Sequence, residues 1–240
     1  MEREKVTIAE QFSRLTGIVF SSSKTFQALN NKPTWLVAFF TIGFGAILIG
    51  FLVSPFIIQA QTVSMTSDIN LQQIENGLKF VKRYQTIGIV LSPIFLIIKF
   101  IFTSAILWLI IQLFSEVNFK RMFSVVVHCG VILFLGSIIT FIILKLRGLQ
   151  SIKSAADIQV SLGLDLFLQN RDLNLPLKAF LSNINVFSVW WIMLISLGIS
   201  IIAKISRTKG IVITIFFWLF SAMIQVGIAS LISSLSGKIG

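Results

Sequence analysis

Apolar residues in this chain run in long blocks that exclude charge, and five of these blocks reach the length of a membrane span. A helix crossing the ~30 Å hydrocarbon core of a bilayer needs about 20 apolar residues at ~1.5 Å per residue. Pro33 to Ser67 contains no charge, and its apolar part runs from Trp35 to about Ala60. Met122 to Leu144 and Ile211 to Leu235 are charge-free in the same way, and Val186 to Ala203 lies between Asn183/Asn185 and Lys204. The fifth block, Thr86 to Phe114, is interrupted by Lys99. The pattern predicts an all-α integral membrane protein, a bundle of five transmembrane helices over residues 34–60, 86–114, 122–145, 186–204 and 211–235. Residues 34–240 then form one membrane domain.

Residues 1–33 precede that domain and are amphipathic. Ile8, Phe12, Leu15 and Val19 recur at helical spacing, with Glu10, Ser13, Arg14 and Ser21 on the opposite face. A helix of this kind lies in the membrane interface or packs on a partner. Asn30-Asn31-Lys32-Pro33 marks a break, and Trp35 follows where an interfacial aromatic belongs. Leu71, Ile74, Leu78 and Val81 predict a further surface helix leading into the second span, with Ser67 or Asp68 as its cap. In the long connection from Arg147 to Asn185, Ile158 to Leu168 alternate apolar and polar residues at a strand period. That stretch reads as a hairpin or a short interfacial helix, with the helix preferred, and Pro176 ends or restarts it.

Composition agrees with this pattern. Hydrophobic residues make up 55% of the 240 and charged residues 12%, where soluble domains carry about 25% charge. A net charge of +11 would suggest nucleic acid, but Lys and Arg sit in short clusters between apolar blocks (Lys82-Arg83, Lys120-Arg121, Arg207/Lys209) rather than in a patch. Nucleic acid is therefore not an expected partner. No signal peptide precedes the first block, which is expected to remain in the mature protein. The N-terminus and the second and fourth connections carry ten Lys/Arg and four acids, against nine and five on the other side. With the basic clusters in the short connections, this favours a cytoplasmic N-terminus and a C-terminus outside.

Few residues carry candidate chemistry. Lys99 sits near the middle of its block, where an ammonium costs ~2.5–3.5 kcal/mol on insertion scales, and no acid lies in any span to neutralise it. It reads either as a cation facing a wet cavity or an anionic head group, or as a side chain that snorkels to the interface as the helix tilts or kinks at Pro93. His128 is the single histidine. Cys129 points about 100° away around the helix, so the pair cannot chelate a metal, and a hydrogen-bonded structural role is expected. No metal, cofactor-binding or catalytic site is expected, because paired carboxylates, a phosphate-binding loop and a nucleophile elbow are all missing. Gln59, Gln112 and Gln225 are expected to hydrogen-bond between helices. Small residues (Gly43, Ala46 and Gly50; Gly130, Gly136 and Ser137; Ser196 and Ser200) permit close helix approach inside the bundle, or between protomers of a homo-oligomer.

Two segments resemble the bacterial branch of the Ypt-interacting protein (YIP) family. Phe20-Ser-Ser-Ser-Lys24-Thr25-Phe26, with Leu29, Lys32-Pro33 and Trp35, is similar to that family's Ser-Pro-x-Lys-Thr-Phe, Leu, Pro-x-Trp entry to the first span. Asn185-Val-Phe187-Ser-Val-Trp190, with Gly198 downstream, resembles its Asp-x-Phe-x-x-Trp entry to the fourth. Ser22 stands where relatives often have Pro, and Asn185 where many have Asp. The resemblance implies five spans, a cytoplasmic N-terminus and a non-enzymatic role, which in eukaryotic relatives involves small GTPases and vesicle traffic. The combined expectation is a scaffold or adaptor of the bacterial cytoplasmic (inner) membrane. Its partners would be the bilayer and other membrane proteins, among them a transporter complex. The alternative is a transporter, or its accessory subunit, moving a small anion or lipid past Lys99.

Overall fold

The computed structural model describes residues 6–65, 71–168 and 175–236, and in these ranges the chain is helical. In order come α1 (Ile8–Phe20), α2 (Ser22–Asn31), α3 (Leu36–Met65), α4 (Leu71–Gln112), α5 (Phe119–Arg147), α6 (Leu175–Ser182), α7 (Val186–Ala203) and α8 (Arg207–Ser236). Five of these, α3, α4, α5, α7 and α8, are long and apolar enough to cross a membrane. Their outward faces carry exposed rings and aliphatic chains such as Phe44, Phe95 and Phe216. Apolar surface on that scale needs lipid rather than water. The protein is integral to the membrane.

The second span departs from expectation at its start. The surface helix and the span form one 42-residue helix, α4, about 63 Å long at ~1.5 Å per residue, continuous through Pro93 and Lys99. Its first turns carry Glu75, Lys79, Lys82 and Arg83 and are too polar for hydrocarbon, so the helix begins outside the core and continues into it. No turn residue separates Val81 from Thr86, which is why one helix replaces two. The proposed caps Ser67 and Asp68 lie outside the described residues.

The helices divide into two units. One comprises Phe39–Lys99 and Phe134–Val160. There the stripe on α3 meets α4, since a Cβ on Gly43 would lie 3.4 Å from Pro93 and one on Gly50 3.0 Å from Ile89. On α5, the Phe134 ring occupies the space over Gly45. Phe56, Ala60, Leu144 and Ile152 form a buried cluster, with Val53, Ile158 and Val160 packed against it. The alternating stretch is thus no hairpin. Ile158 ends a 3-10 turn at Ala155–Ile158, Leu164–Leu168 form another, and among the described residues the stretch makes only the isolated antiparallel bridge Gly163–Asn185. Ile158 and Val160 are used singly, as packing on the Phe56 cluster, while Leu164, Leu166 and Phe167 are exposed.

The other unit comprises Met1–Ala38, Phe100–Leu133 and Ser161–Gly240. It joins α1 to α2, α2 to α7, and α7 and α6 to α8. Ser196 and Ser200 face Gly210 of α8, where a Cβ would overlap Ser200 Oγ and lie 2.6 Å from the Ser196 carbonyl. This pair therefore serves contact within the chain. Both serines, with Ser124, Thr25 and Thr214, donate their hydroxyls to the carbonyl four residues back. That satisfies polar groups inside the helix, as a membrane interior demands. Lys204 adopts the left-handed conformation and closes α7, its N–H donating to Ser200. Pro176 sits in the first turn of α6, where its missing N–H costs nothing.

Candidate functional site

The most elaborated polar and packing arrangement lies where the α1–α2 hairpin docks on α5 and α7. Thr7 caps α1 by accepting from the Glu10 N–H at 3.2 Å. The chain turns at Ser21, whose N–H donates to the Gly17 carbonyl at 2.8 Å. Gly17 is needed there, because a Cβ would overlap Thr25 Oγ1 of α2. The amphipathic N-terminus is thus a helical hairpin rather than a single helix, and its buried stripe is Leu15, Ile18, Phe26 and Leu29.

This corrects the face assignment made from spacing. Ile8 and Phe12 are 68% and 52% exposed, whereas Arg14, assigned to the polar face, is buried. The Arg14 guanidinium donates from Nη1 to the Lys32 carbonyl at 2.8 Å and to Thr34 Oγ1 at 2.9 Å. Its Nη2 pairs with Glu10 at 3.1 Å. One cation thus ties α1 to the Asn-Asn-Lys-Pro break and to the start of the first span. Arg14 also lies near enough to act electrostatically on His128. Spacing could have pointed to it: Arg14 adjoins Leu15 and lies four residues before Ile18, on the face that Ile18 marks.

His128 is fully buried, with Nδ1 2.8 Å from the Ser124 carbonyl. A carbonyl only accepts, so Nδ1 carries the proton and donates one turn back along α5. Cys129 is buried beside it. Among the described residues no three His, Cys, Asp or Glu come together as a metal site.

The two motif segments meet in this unit. A Cβ on Gly198 would lie 2.5 Å from Val125 Cγ1 and 3.1 Å from Phe26 Cε1, so the Phe26 ring rests directly on the α7 backbone. Trp35, half-buried, makes an edge-to-face contact with Phe123 at 5.1 Å. Thr25 supports the hairpin, Lys24 is exposed and Pro33 is half-buried in the break. Asn185 caps α7: Oδ1 accepts from the Ser188 N–H at 2.9 Å and Nδ2 donates to the Ser182 carbonyl at 3.0 Å. Asp caps a helix equally well, so this departure from the pattern leaves the job intact. Phe187 and Trp190 are half-buried; the ring buried in this helix is Trp191, 6.3 Å from Phe217.

Lys99 is elsewhere. It is exposed on the surface of α4 beside Phe95 and Ile98, which are also exposed. Gln112 donates to the Val117 carbonyl at 3.1 Å, in company with Trp108 Nε1 at 2.7 Å, and so pins a connection rather than bridging two helices. Gln225 is exposed.

Comparison with known proteins places these features in a family. No curated protein and no solved structure matches the chain. The family model of the Yip1 domain matches residues 16–229, from the middle of α1 almost to the end of the last span. With both motifs inside that match and five helices fit to cross the membrane, the chain belongs to the Yip1-domain family.

Proposed function

We propose that the protein is a non-catalytic scaffold of the bacterial cytoplasmic membrane, with its N-terminus cytoplasmic and its C-terminus outside. In this reading residues 1–33 are an interfacial segment whose hairpin presents one face to other membrane proteins and to lipid head groups, and residues 34–240 are the membrane domain. The observation that carries the reading is the division of labour within α1. Leu15, Ile18 and Arg14 secure the helix, while Ile8, Phe12 and Phe20 stay exposed at 68%, 52% and 87%. Exposed rings on a helix held in place by a buried cation are suited to engaging something outside the chain.

Lys99 favours the scaffold over transport, since an exposed position among apolar side chains suits a contact surface more than a pathway. The test replaces Ile8, Phe12 and Phe20 together by Ser in the full chain and compares co-purifying membrane proteins after mild solubilisation. Loss of specific partners with the fold retained is expected. An unchanged partner set overturns the hairpin's role. Reporter fusions to both termini, active on opposite sides of the membrane, test the orientation.

A further inference from the structure

The α4 surface around Lys99 is exposed, apolar and charged at a single point. Phe95 and Ile98 flank the ammonium, at 63% and 56% exposure. Gly88, eleven residues earlier, is exposed, and nothing lies within 4 Å of where its Cβ would stand. The chain is free of charge from Thr86 to Ile98 and from Phe100 to Ser115. Lys99 therefore stands about 20 Å along the helix from Thr86 and from Gln112, or about 15 Å from each boundary at a tilt of about 40°. A four-carbon stem does not cover that distance, so snorkelling leaves the ammonium in hydrocarbon.

An ammonium at that depth is stabilised by an anion at the same depth. The chain does not carry one: its nine acids are Glu2, Glu4, Glu10, Asp68, Glu75, Glu116, Asp157, Asp165 and Asp172, and the five membrane-capable helices include only Glu75, which lies in the polar first turns of α4, about 36 Å along the helix from Lys99. A second copy seated on this face would oppose Lys99 with another Lys99 or with hydrocarbon. Charge complementarity thus excludes self-association here and requires a different chain.

We infer that this face of α4 docks a transmembrane helix of another protein that carries an Asp or Glu near the bilayer midplane, hydrogen-bonded to Lys99. Gly88, with no side chain, lets the partner backbone approach closely. The inference rests on the scaffold reading but concerns a surface separate from the hairpin.

The test uses the full chain in neutral phosphatidylcholine vesicles with two labelled Leu/Ala model helices that differ only in a central Glu or Gln, and reads association by energy transfer. The Glu helix is expected to bind about tenfold more tightly, within the range of interhelical polar contacts in model peptides. Lys99→Leu should erase the difference and Lys99→Arg should keep it. Equal binding of the two helices overturns the inference. So does loss of the difference when phosphatidylglycerol is added, which would assign Lys99 to a lipid phosphate, and so does self-association that depends on Lys99. None of these results touches the hairpin, whose partners are tested through Ile8, Phe12 and Phe20, so the two readings fail separately.

Discussion

Gly198 of α7 provides the seat for Phe26 of α2: a single Cβ at Gly198 would come within 3.1 Å of the Phe26 ring and 2.5 Å of Val125. Phe26 is fully buried. The hairpin is therefore held by a ring lying against bare backbone, a contact whose strength comes from close dispersion packing.

Enlarging that seat should release the hairpin. Gly198→Val is expected to destabilise the protein by about 1–3 kcal/mol, the usual penalty for overpacking. Thermal unfolding in detergent, with limited proteolysis between α1 and α3, reads the effect. Cleavage should begin near Ser21 before the spans unfold. Phe26→Ala should produce the same early cleavage, and the double variant should cost less than the sum of the two, because the residues share one contact.

Arg14 is the polar counterpart of that contact. Arg14→Met keeps the apolar stem and removes the bonds to Lys32 and Thr34, each of a kind worth about 1.5–3 kcal/mol. Amide exchange is expected to speed up in α1 and at Thr34 while α7 stays protected. Glu10→Gln should change little, since its carboxylate is 53% exposed and such pairs contribute ~0–1 kcal/mol. Equal effects of the two substitutions would contradict the latch role of Arg14.

At the start of α7, the N-cap predicts which substitutions are tolerated. Asn185→Asp should leave the melting temperature nearly unchanged. Asn185→Ala should cost about 1 kcal/mol through the unpaired Ser188 N–H. A melting curve on each variant decides it.

The turn after α5 should respond to acid. Asp157 accepts from the Lys153 N–H at 2.9 Å and from Ser154 Oγ at 3.0 Å, and the backbone bond first, then the hydroxyl, hold its carboxyl below the usual range. A carboxyl depressed in the folded state stabilises the turn above its unfolded value, about 3.9, and loses that contribution as pH falls through the lower folded value. The Lys153 amide should lose protection, measured against the rate of an unstructured peptide at the same pH, once pH drops below about 4, and Asp157→Asn should remove that loss.

The five spans were legible in the chain itself, because excluding charge over about 20 residues is a one-dimensional property that needs no partner to be recognised. The Ser196/Ser200 stripe was legible too, since it meets Gly210 only a short connection further along the chain. Tertiary structure alone decided that α1 and α2 fold into a hairpin seated on α7, that Arg14 turns inward and Ile8 and Phe12 outward, and that Phe26 meets Gly198. Helical spacing shows that a face exists but not which of two overlapping faces another helix will cover. Only the arrival of α7, some 170 residues along the chain from Phe26, makes the 15/18/26/29 stripe the buried one. The same holds for Lys99: its depth follows from counting residues, but its exposure follows from which side of α4 is covered by α3 at Ile89 and Pro93.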